Sequence, residues 1–304
     1  MRTLLLAALA CAGLLAGCSD PPPVGPPVQP DTTTVYPAFG GEREVVITGY
    51  GGHAMEPFIS GDGQALFFNS LNDGDSTSLY YATRVSDTSF ACQGEVGGVN
   101  GTPPHLDAVA SMDGSGRFYF VSTRDWPGVL ENIQAGDYAG GAVTGVAPVT
   151  GDFYVSSPGW LVMDAEIGRG GDLLYYCNAR FSGGAIPEEA RLGVARRQGA
   201  SFAKLAASDT LLGAINDTSY LVYAPASTAD GRELYVTRMH KRMASTRICV
   251  SVRTDTARPF SAPRMLEISG SLVEAPTITA DKRRIYYHKL AGDGKYHVYT
   301  MTRQ

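Results

Sequence analysis

A short pattern recurs five times along this chain, and it constrains the fold more than any other feature. Each copy has an acidic or aromatic residue, a few small residues, a tight turn often spelled Asp-Gly, and an aromatic-rich strand. The second strands of successive copies begin 52, 55, 61 and 51 residues apart. One four-stranded unit of that size cannot bury both faces and must stack between neighbours. The repeat therefore predicts an all-β fold, a five-bladed β-propeller.

The same repeat predicts the domain organisation. Residues 1-17 read as a lipoprotein signal peptide, 18-37 as a Pro/Thr-rich tether and 38-304 as the propeller. A run rich in Pro and Thr cannot bury apolar area and favours extended conformations. The predicted blades span about 50-98, 104-150, 159-208, 219-268 and 272-304, with residues 43-48 added to the last.

The addition of residues 43-48 follows from the incomplete fifth copy. That copy ends at Gln304, directly after its third strand. Residues 43-49 match 264-270, the outer strand of the fourth copy, in residue type at most positions. Since a closed ring has no exposed sheet edge, we expect 43-48 to form the outer strand of blade five.

The N-terminal residues predict where the protein is located. An apolar run from Leu4 to Leu15 follows Arg2; it is too short for a permanent membrane span and suits a secretory signal. Its last residues, Leu15-Ala16-Gly17-Cys18, resemble the bacterial lipobox. The resemblance implies lipid attachment at Cys18 and, with Ser19 following, an outer-membrane protein facing the periplasm or the surface. An ordinary signal peptide with a chance cysteine is the alternative.

Charge and cysteine content exclude several function classes. A net charge of -5 and a pI near 5.6 remove the broad electrostatic reason to bind nucleic acid. Cys92, Cys177 and Cys249 remain after the signal and the lipid site, and their spacing matches no metal site. We therefore predict no cofactor, a monomer, and membrane contact through the lipid anchor only.

The turns resemble those of a known repeat. Ile59-Ser60-Gly61-Asp62-Gly63 and residues 227-236 resemble the WD40-like (PD40) repeat of TolB-type propellers, whose hallmark is Ser-Pro-Asp-Gly before an apolar strand. No copy has the Pro, and the fifth has Asp281-Lys282. Because glycine readily takes positive φ, the Asp-Gly pair indicates fold rather than activity.

The first residue of each copy is the candidate functional position. Innermost strands line the central channel of a propeller, so these residues are predicted to face one funnel. Gathered carboxylates raise at least one pKa unless a cation lies among them. The alternatives are structural hydrogen-bond acceptors and a metal site shared with nearby histidines. The predicted funnel residues are Glu56, Asp107, Asp164, Tyr223 and Glu274, with His53 and His105 at the rim.

A second resemblance concerns five-bladed glycoside hydrolases. Residues 55-57, 163-165 and 273-276 resemble their acid-bearing first strands, which implies catalytic roles for Glu56, Asp164 and Glu274. Glycoside hydrolysis needs two carboxyl groups, one to protonate the leaving oxygen and one to attack or activate water.

We expect a cell-envelope lipoprotein that binds a protein or glycan partner as a scaffold, without chemistry of its own. A surface glycan-active enzyme, a hydrolase or lyase, is the alternative.

Overall fold

The described part of the chain is a nearly pure β-structure. The computed structural model describes residues 34–243 and 245–304. In chain order the strands are β1 (Phe39–Glu44), β2 (Val46–Thr48), β3 (Met55–Ile59), β4 (Ala65–Asn69), β5 (Ser76–Thr77), β6 (Leu79–Ser86), β7 (Ser89–Glu95), β8 (His105–Met112), β9 (Arg117–Ser122), β10 (Ile133–Ala139), β11 (Ala142–Pro148), β12 (Trp160–Ile167), β13 (Leu173–Arg180), β14 (Glu189–Gln198), β15 (Ser201–Lys204), β16 (Tyr220–Ser227), β17 (Glu233–His240), β18 (Ser245–Val252), β19 (Arg264–Met265), β20 (Ser271–Ile278), β21 (Arg284–Leu290) and β22 (Tyr296–Arg303). The described residues contain one short helix, α1 (Ser208–Leu211).

These strands form five sheets, and each sheet is one blade. Blades two, three and four follow chain order, as β8 to β11, β12 to β15 and β16 to β19. Blade one contains β3, β4, β6 and β7, and blade five contains β20, β21, β22 and, at its outer edge, β1. The five-bladed propeller predicted from the repeat is confirmed.

The apolar core lies between the blades. Five clusters of buried side chains are present, and each draws its members from two adjacent blades. Strand alternation explains this, because successive side chains point to opposite faces and each face meets a neighbour. Phe67, Tyr119, Tyr235 and Tyr286, all from second strands, are almost completely buried.

A repeated arginine links adjacent blades. Arg197, at the end of the third strand of blade three, donates to the Tyr119 hydroxyl of blade two. Arg253 donates to the Tyr175 hydroxyl of blade three at 3.2 Å, and Arg303 to the Tyr235 hydroxyl of blade four at 3.1 Å. The guanidinium groups thus supply charged donors to buried tyrosine hydroxyls, and the Tyr235 hydroxyl in turn donates to Glu233 Oε2 at 2.7 Å.

Blade two departs from this arrangement at both partners. Tyr138 occupies the arginine position, since its N–H donates to Gly116 as that of Arg253 donates to Arg232. The preceding blade offers Phe67, which has no hydroxyl, and the two rings meet edge to face with centroids 5.1 Å apart. An aromatic pair therefore replaces the cation and hydroxyl at this junction.

The N-terminal strand closes the ring, but with a different register from the predicted one. β1 pairs antiparallel with β22, joining Phe39 to Arg303 and Glu44 to Tyr299. Of residues 43-48, only the first two lie in that strand. Val46–Thr48 instead pair parallel with β7 of blade one. The match to 264-270 therefore reflects shared residue types and not a shared position in the sheet. The observed register buries Val45, which is 3% exposed, between blades five and one, in a cluster with Phe90 and Tyr286.

Candidate functional site

The five inner strands β3, β8, β12, β16 and β20 surround the central channel, and each carries a β-bulge. One position beside the bulge is equivalent in three of these strands. It is held by Asp164, Tyr223 and Glu274, which pair with Cys177, Thr237 and His288 of the second strands. The bulge re-aims side chains next to it. A one-residue shift in this region therefore decides where a side chain points.

Glu56 lies one residue past that position and Asp107 one residue before it. Met55 and Ala108 hold the equivalent places, opposite Asn69 and Val121. Glu56 adopts φ of 49° within its bulge, a conformation that non-glycine residues rarely take. Val109, Ala224 and Ala275 on other inner strands adopt φ of 57°, 47° and 51°, so this conformation belongs to the repeated bulge of the blades.

Three of the predicted carboxyl groups are brought together at the channel. The charges of Asp164 and Glu274 both act on Glu56, and the charge of Glu274 acts on Asp164. Tyr223 joins them by donating its hydroxyl to Glu274 Oε1 at 2.9 Å. Glu56, Asp164, Tyr223 and Glu274 are defined here as the central cluster.

Glu274 is held in its ionised form. Burial acts to raise its pKa, but His288 and the Tyr223 hydroxyl outweigh burial and hold the pKa below its ordinary value. The Nδ1 atom of His288 accepts the backbone N–H of Glu56 at 2.9 Å. The ring proton of a neutral His288 therefore lies on Nε2, which is 3.5 Å from Glu274 Oε2.

Glu56 and Asp164 are shifted in the opposite direction. Burial, followed by the charge of Asp164, raises the pKa of Glu56 to about 8, although Asn72 donates to its Oε1 at 3.0 Å. Burial, opposed by the backbone N–H of Ala224, raises the pKa of Asp164 to about 7. Glu56 Oε2 and Asp164 Oδ2 are buried without a hydrogen-bond partner among the described residues. One site thus holds carboxyl groups with divergent pKa values.

Sequence reasoning missed Glu166 and His288. Glu166 lines the same channel, where its Oε2 accepts the Ser111 hydroxyl at 2.9 Å, and burial raises its pKa to about 8. His288 lies on the second strand β21, opposite Glu274. The repeat contained a signal for His288. The second strand of the fifth copy begins at Ile285, and the third residue after it, His288, lies opposite the repeat position of Glu274.

The middle of the channel is narrow. All five inner strands line a cavity of about 30 Å³ there, beside Glu56, Asp164 and Glu166. That volume holds about one or two water molecules. A sugar ring cannot enter the middle of the channel, so any larger ligand must bind at the mouth, where Glu274 remains 18% exposed.

Asp107 does not join the central cluster, contrary to the prediction. Its side chain is fully buried, with Oδ1 2.7 Å from Arg124 Nη2 and Oδ2 accepting the Gly101 N–H at 2.7 Å. His105 is also buried, with Nε2 3.5 Å from Asp107. Because Asp107 pairs with Ser122, one step before the equivalent position, its side chain takes the opposite face of the strand.

His53 also has contacts outside the central cluster. Its Nδ1 accepts the Tyr296 N–H at 3.2 Å, and its ring lies against that of Tyr296. Within residues 34–243 and 245–304, no three His, Cys, Asp or Glu side chains are arranged to hold a metal ion. Cys92, Cys177 and Cys249 are free thiols. No helix in this part of the chain is long and apolar enough to cross a membrane.

No protein-family model matches the chain, and no curated protein matches its sequence. Solved structures with a similar fold include Zg3597, a family 117 glycoside hydrolase from Zobellia galactanivorans (TM-score 0.57, 12% identity, covering 88% of this chain and 90% of that one). Another is the α-L-arabinofuranosidase PaAbf62A from Podospora anserina, in complex with cellotriose (TM-score 0.54, 12% identity, 88% and 96% covered).

A TolB-type structure is also similar to the chain. The putative TolB from Agrobacterium tumefaciens gives a TM-score of 0.48 at 12% identity, covering 85% of this chain and 78% of that one. The resemblance to five-bladed glycoside hydrolases seen in the sequence thus recurs among structural neighbours with TM-scores above 0.5. At these identities the likeness shows the fold alone.

Proposed function

We propose that the protein binds a glycan at the mouth of the central channel and hydrolyses a glycosidic bond there. The observation that carries this proposal is the geometry of the central cluster, in which Tyr223 and His288 hold Glu274 while Glu56 Oε2 is buried without a hydrogen-bond partner among the described residues. The pKa shifts agree with it. The pKa of Glu56 is raised to about 8 and that of Glu274 is lowered. Paired titratable groups whose surroundings push their pKa values apart are the mark of an acid and base assignment.

Each residue then has a chemical role. Glu56 is protonated at neutral pH and, because it lines the narrow middle of the channel, passes its proton to the leaving oxygen at the mouth through a water in the cavity beside it. Ionised Glu274 activates water or attacks the sugar carbon. Tyr223 and His288 keep Glu274 ionised and fix its orientation. Asp164 adds a neighbouring charge that keeps the proton on Glu56.

A scaffold that binds a protein or glycan without chemistry is the second candidate. The narrow channel favours it, because a cavity of about 30 Å³ cannot enclose a sugar ring. In that function the central cluster would hydrogen-bond ligand groups at the mouth only.

Five-bladed glycoside hydrolases with this fold support the first candidate, hydrolysis, by analogy of architecture.

Oligosaccharide panels separate the two functions. Wild-type protein should release reducing ends from one glycan class, and Glu274→Gln should lower that rate by about 10² to 10⁴-fold with little change in melting temperature. Glu267→Gln is the control, because Glu267 is an exposed glutamate outside the central cluster. Glycan binding without release by the wild type would establish a glycan-binding scaffold, and neither binding nor release would refute both hydrolysis and glycan binding.

We also propose that the propeller is tethered to the cell envelope through a lipid on Cys18. That residue lies outside the described part of the chain, so the support is the lipobox-like Leu15-Ala16-Gly17-Cys18. Two or three acyl chains anchor a protein stably, since each buried CH₂ contributes about 0.8 kcal/mol. Labelling with a fatty-acid analogue should tag the wild type and leave Cys18→Ser untagged.

A further inference from the structure

A groove of about 590 Å³ lies where blade five meets blade one, away from the central channel. Its walls are the bulged strand β1, the end of β22 and the turn between β6 and β7. Three arginines line it, Arg43, Arg84 and Arg284, together with Asp87, Thr88 and Thr302. It is therefore built from both ends of the described chain and from the first blade.

The charge of this groove is opposite to that of the protein. Three arginine side chains and one acidic side chain line the groove, together with Gln304, whereas the whole chain carries a net charge of -5. Asp87 contacts Arg84 through Oδ1 and Arg284 Nη2 through Oδ2, the latter at 2.5 Å. Both oxygens of the Asp87 carboxylate are thus occupied by Arg84 and Arg284, and Arg43 is left without an acidic side chain.

Arg43 supplies the uncompensated charge. Among the described residues it makes no ion pair, and the adjacent acidic side chains are engaged elsewhere: Glu42 with Lys289 at 2.8 Å and Glu44 with His297 at 2.5 Å. Arg84 and Arg284 are about one quarter exposed, so donors of each guanidinium remain available to a ligand. A guanidinium carries five N–H donors in a planar fork.

The backbone leaves room for a ligand. The pairing of β1 with β22 shifts register between Gly40 and Arg43. Gly41, at φ of 67°, has no atom within 4 Å of the place where a Cβ would be. Hydroxyl groups of Ser86, Thr88 and Thr302 also line the groove, as does Gln304, whose side chain lies against Gly40.

We propose that this groove binds a tetrahedral oxyanion, a phosphate or sulfate group. Planar guanidinium forks match the oxygen edges of such groups and bind them with two parallel hydrogen bonds. Hydroxyls supply the remaining donors. Since the groove joins β1 to blade one, the bound anion also holds the ring closed and adds stability by mass action.

Calorimetric titration of the full chain with inorganic phosphate and inorganic sulfate tests the site. The buffer keeps ionic strength constant with chloride, because screening weakens any charged contact. Saturable binding of one anion per chain is expected. Arg43→Gln should weaken it at least tenfold, while Arg258→Gln, at an exposed arginine of blade four outside the groove, should change it less than twofold.

Melting temperatures in the same buffers give a second measurement. Phosphate and sulfate stabilise many proteins by exclusion from their surface. The quantity to compare is therefore the rise in melting temperature that each anion causes, which should be smaller in Arg43→Gln than in Arg258→Gln. A stronger response to one anion than to the other identifies the phosphate or the sulfate group as the ligand. The proposal is overturned by the absence of saturable heat with both anions, or by binding that Arg43→Gln leaves unchanged.

Discussion

Asp107 and Glu274 begin two copies of the same repeat, yet the structure gives them opposite surroundings. Asp107 is sealed inside the protein against the guanidinium of Arg124 and the backbone of Gly101. Glu274 stands at the mouth of the channel with two other carboxyl groups, held only by neutral or titratable donors. A shift of one residue before the bulge separates a structural acid from a candidate functional one.

The contrast also lies in what compensates each charge. A fully buried carboxylate that is paired and hydrogen-bonded, as Asp107 is with the partly exposed Arg124, is costly to alter, because its partners are left without compensation. The raised pKa values of Glu56 and Asp164 mean that ionising these groups inside the fold costs stability, whereas His288 and Tyr223 hold Glu274 in its ionised form. The comparison therefore predicts that substitution harms stability at Asp107 and function at the central cluster.

The largest expected effect is at Asp107. Asp107→Asn should lower the free energy of unfolding by about 3 kcal/mol, since Arg124 loses its charged partner. Asp137→Asn is the matched control in the same blade, because Asp137 is 76% exposed beside Arg117. A surface pair of that kind contributes less than about 1 kcal/mol. Urea unfolding measures both, and equal losses would break the comparison.

A smaller effect concerns the pH dependence of stability. The pKa of Glu56 is raised from 4.5 to about 8, so the folded protein holds this proton more tightly than the unfolded chain. Its contribution is complete below about pH 4.5 and is lost as pH rises through about 8. Glu56→Gln should remove that loss and be more stable than the wild type at pH 9.

Thermal melts from pH 4 to pH 9 measure this difference, with exposed Glu267→Gln as the control. The two curves should converge near pH 4, where Glu56 is neutral in both states. A Glu56→Gln variant that follows the wild-type profile throughout would show that Glu56 is ionised in the folded protein, and the acid role proposed for it would fail.

The smallest effect is expected at Tyr223. Tyr223→Phe removes the hydroxyl that donates to Glu274 Oε1, at a stability cost of about 1 kcal/mol. The pKa of Glu274 should rise by less than about one unit, because His288 still contacts it. A carboxyl-carbon NMR titration follows Glu274 directly. An unchanged pKa would mean that His288 alone keeps this group ionised.

Repeat spacing was sufficient to predict the five blades, because strand and turn chemistry recur at each copy. The third strands ending in arginine were also visible, as at Arg197, Arg253 and Arg303. The tyrosine partner of each arginine could not be predicted, because that tyrosine belongs to a different copy of the repeat. The replacement of the pair by Tyr138 and Phe67 at one junction becomes meaningful only once the blades are adjacent.

The candidate site was predicted in part. Glu56, Asp164, Tyr223 and Glu274 do meet, although Glu56 is out of step with the others by one residue. A sequence repeat fixes spacing to within a residue or two, and a strand reverses its faces at every residue. The error at Asp107 and the displaced register of β1 both have this origin.

The closing strand has a consequence for how the molecule folds. Pairing Gly40 with Thr302 joins positions at opposite ends of the propeller sequence, whereas every other antiparallel pairing joins neighbours in the chain. By loop-closure entropy, this step costs about 3 to 4 kcal/mol more than closing a short hairpin. Blades one to four can therefore form from local contacts before the ring shuts. Until then β22 presents an open edge, and a second copy of the chain could donate its own β1 to it.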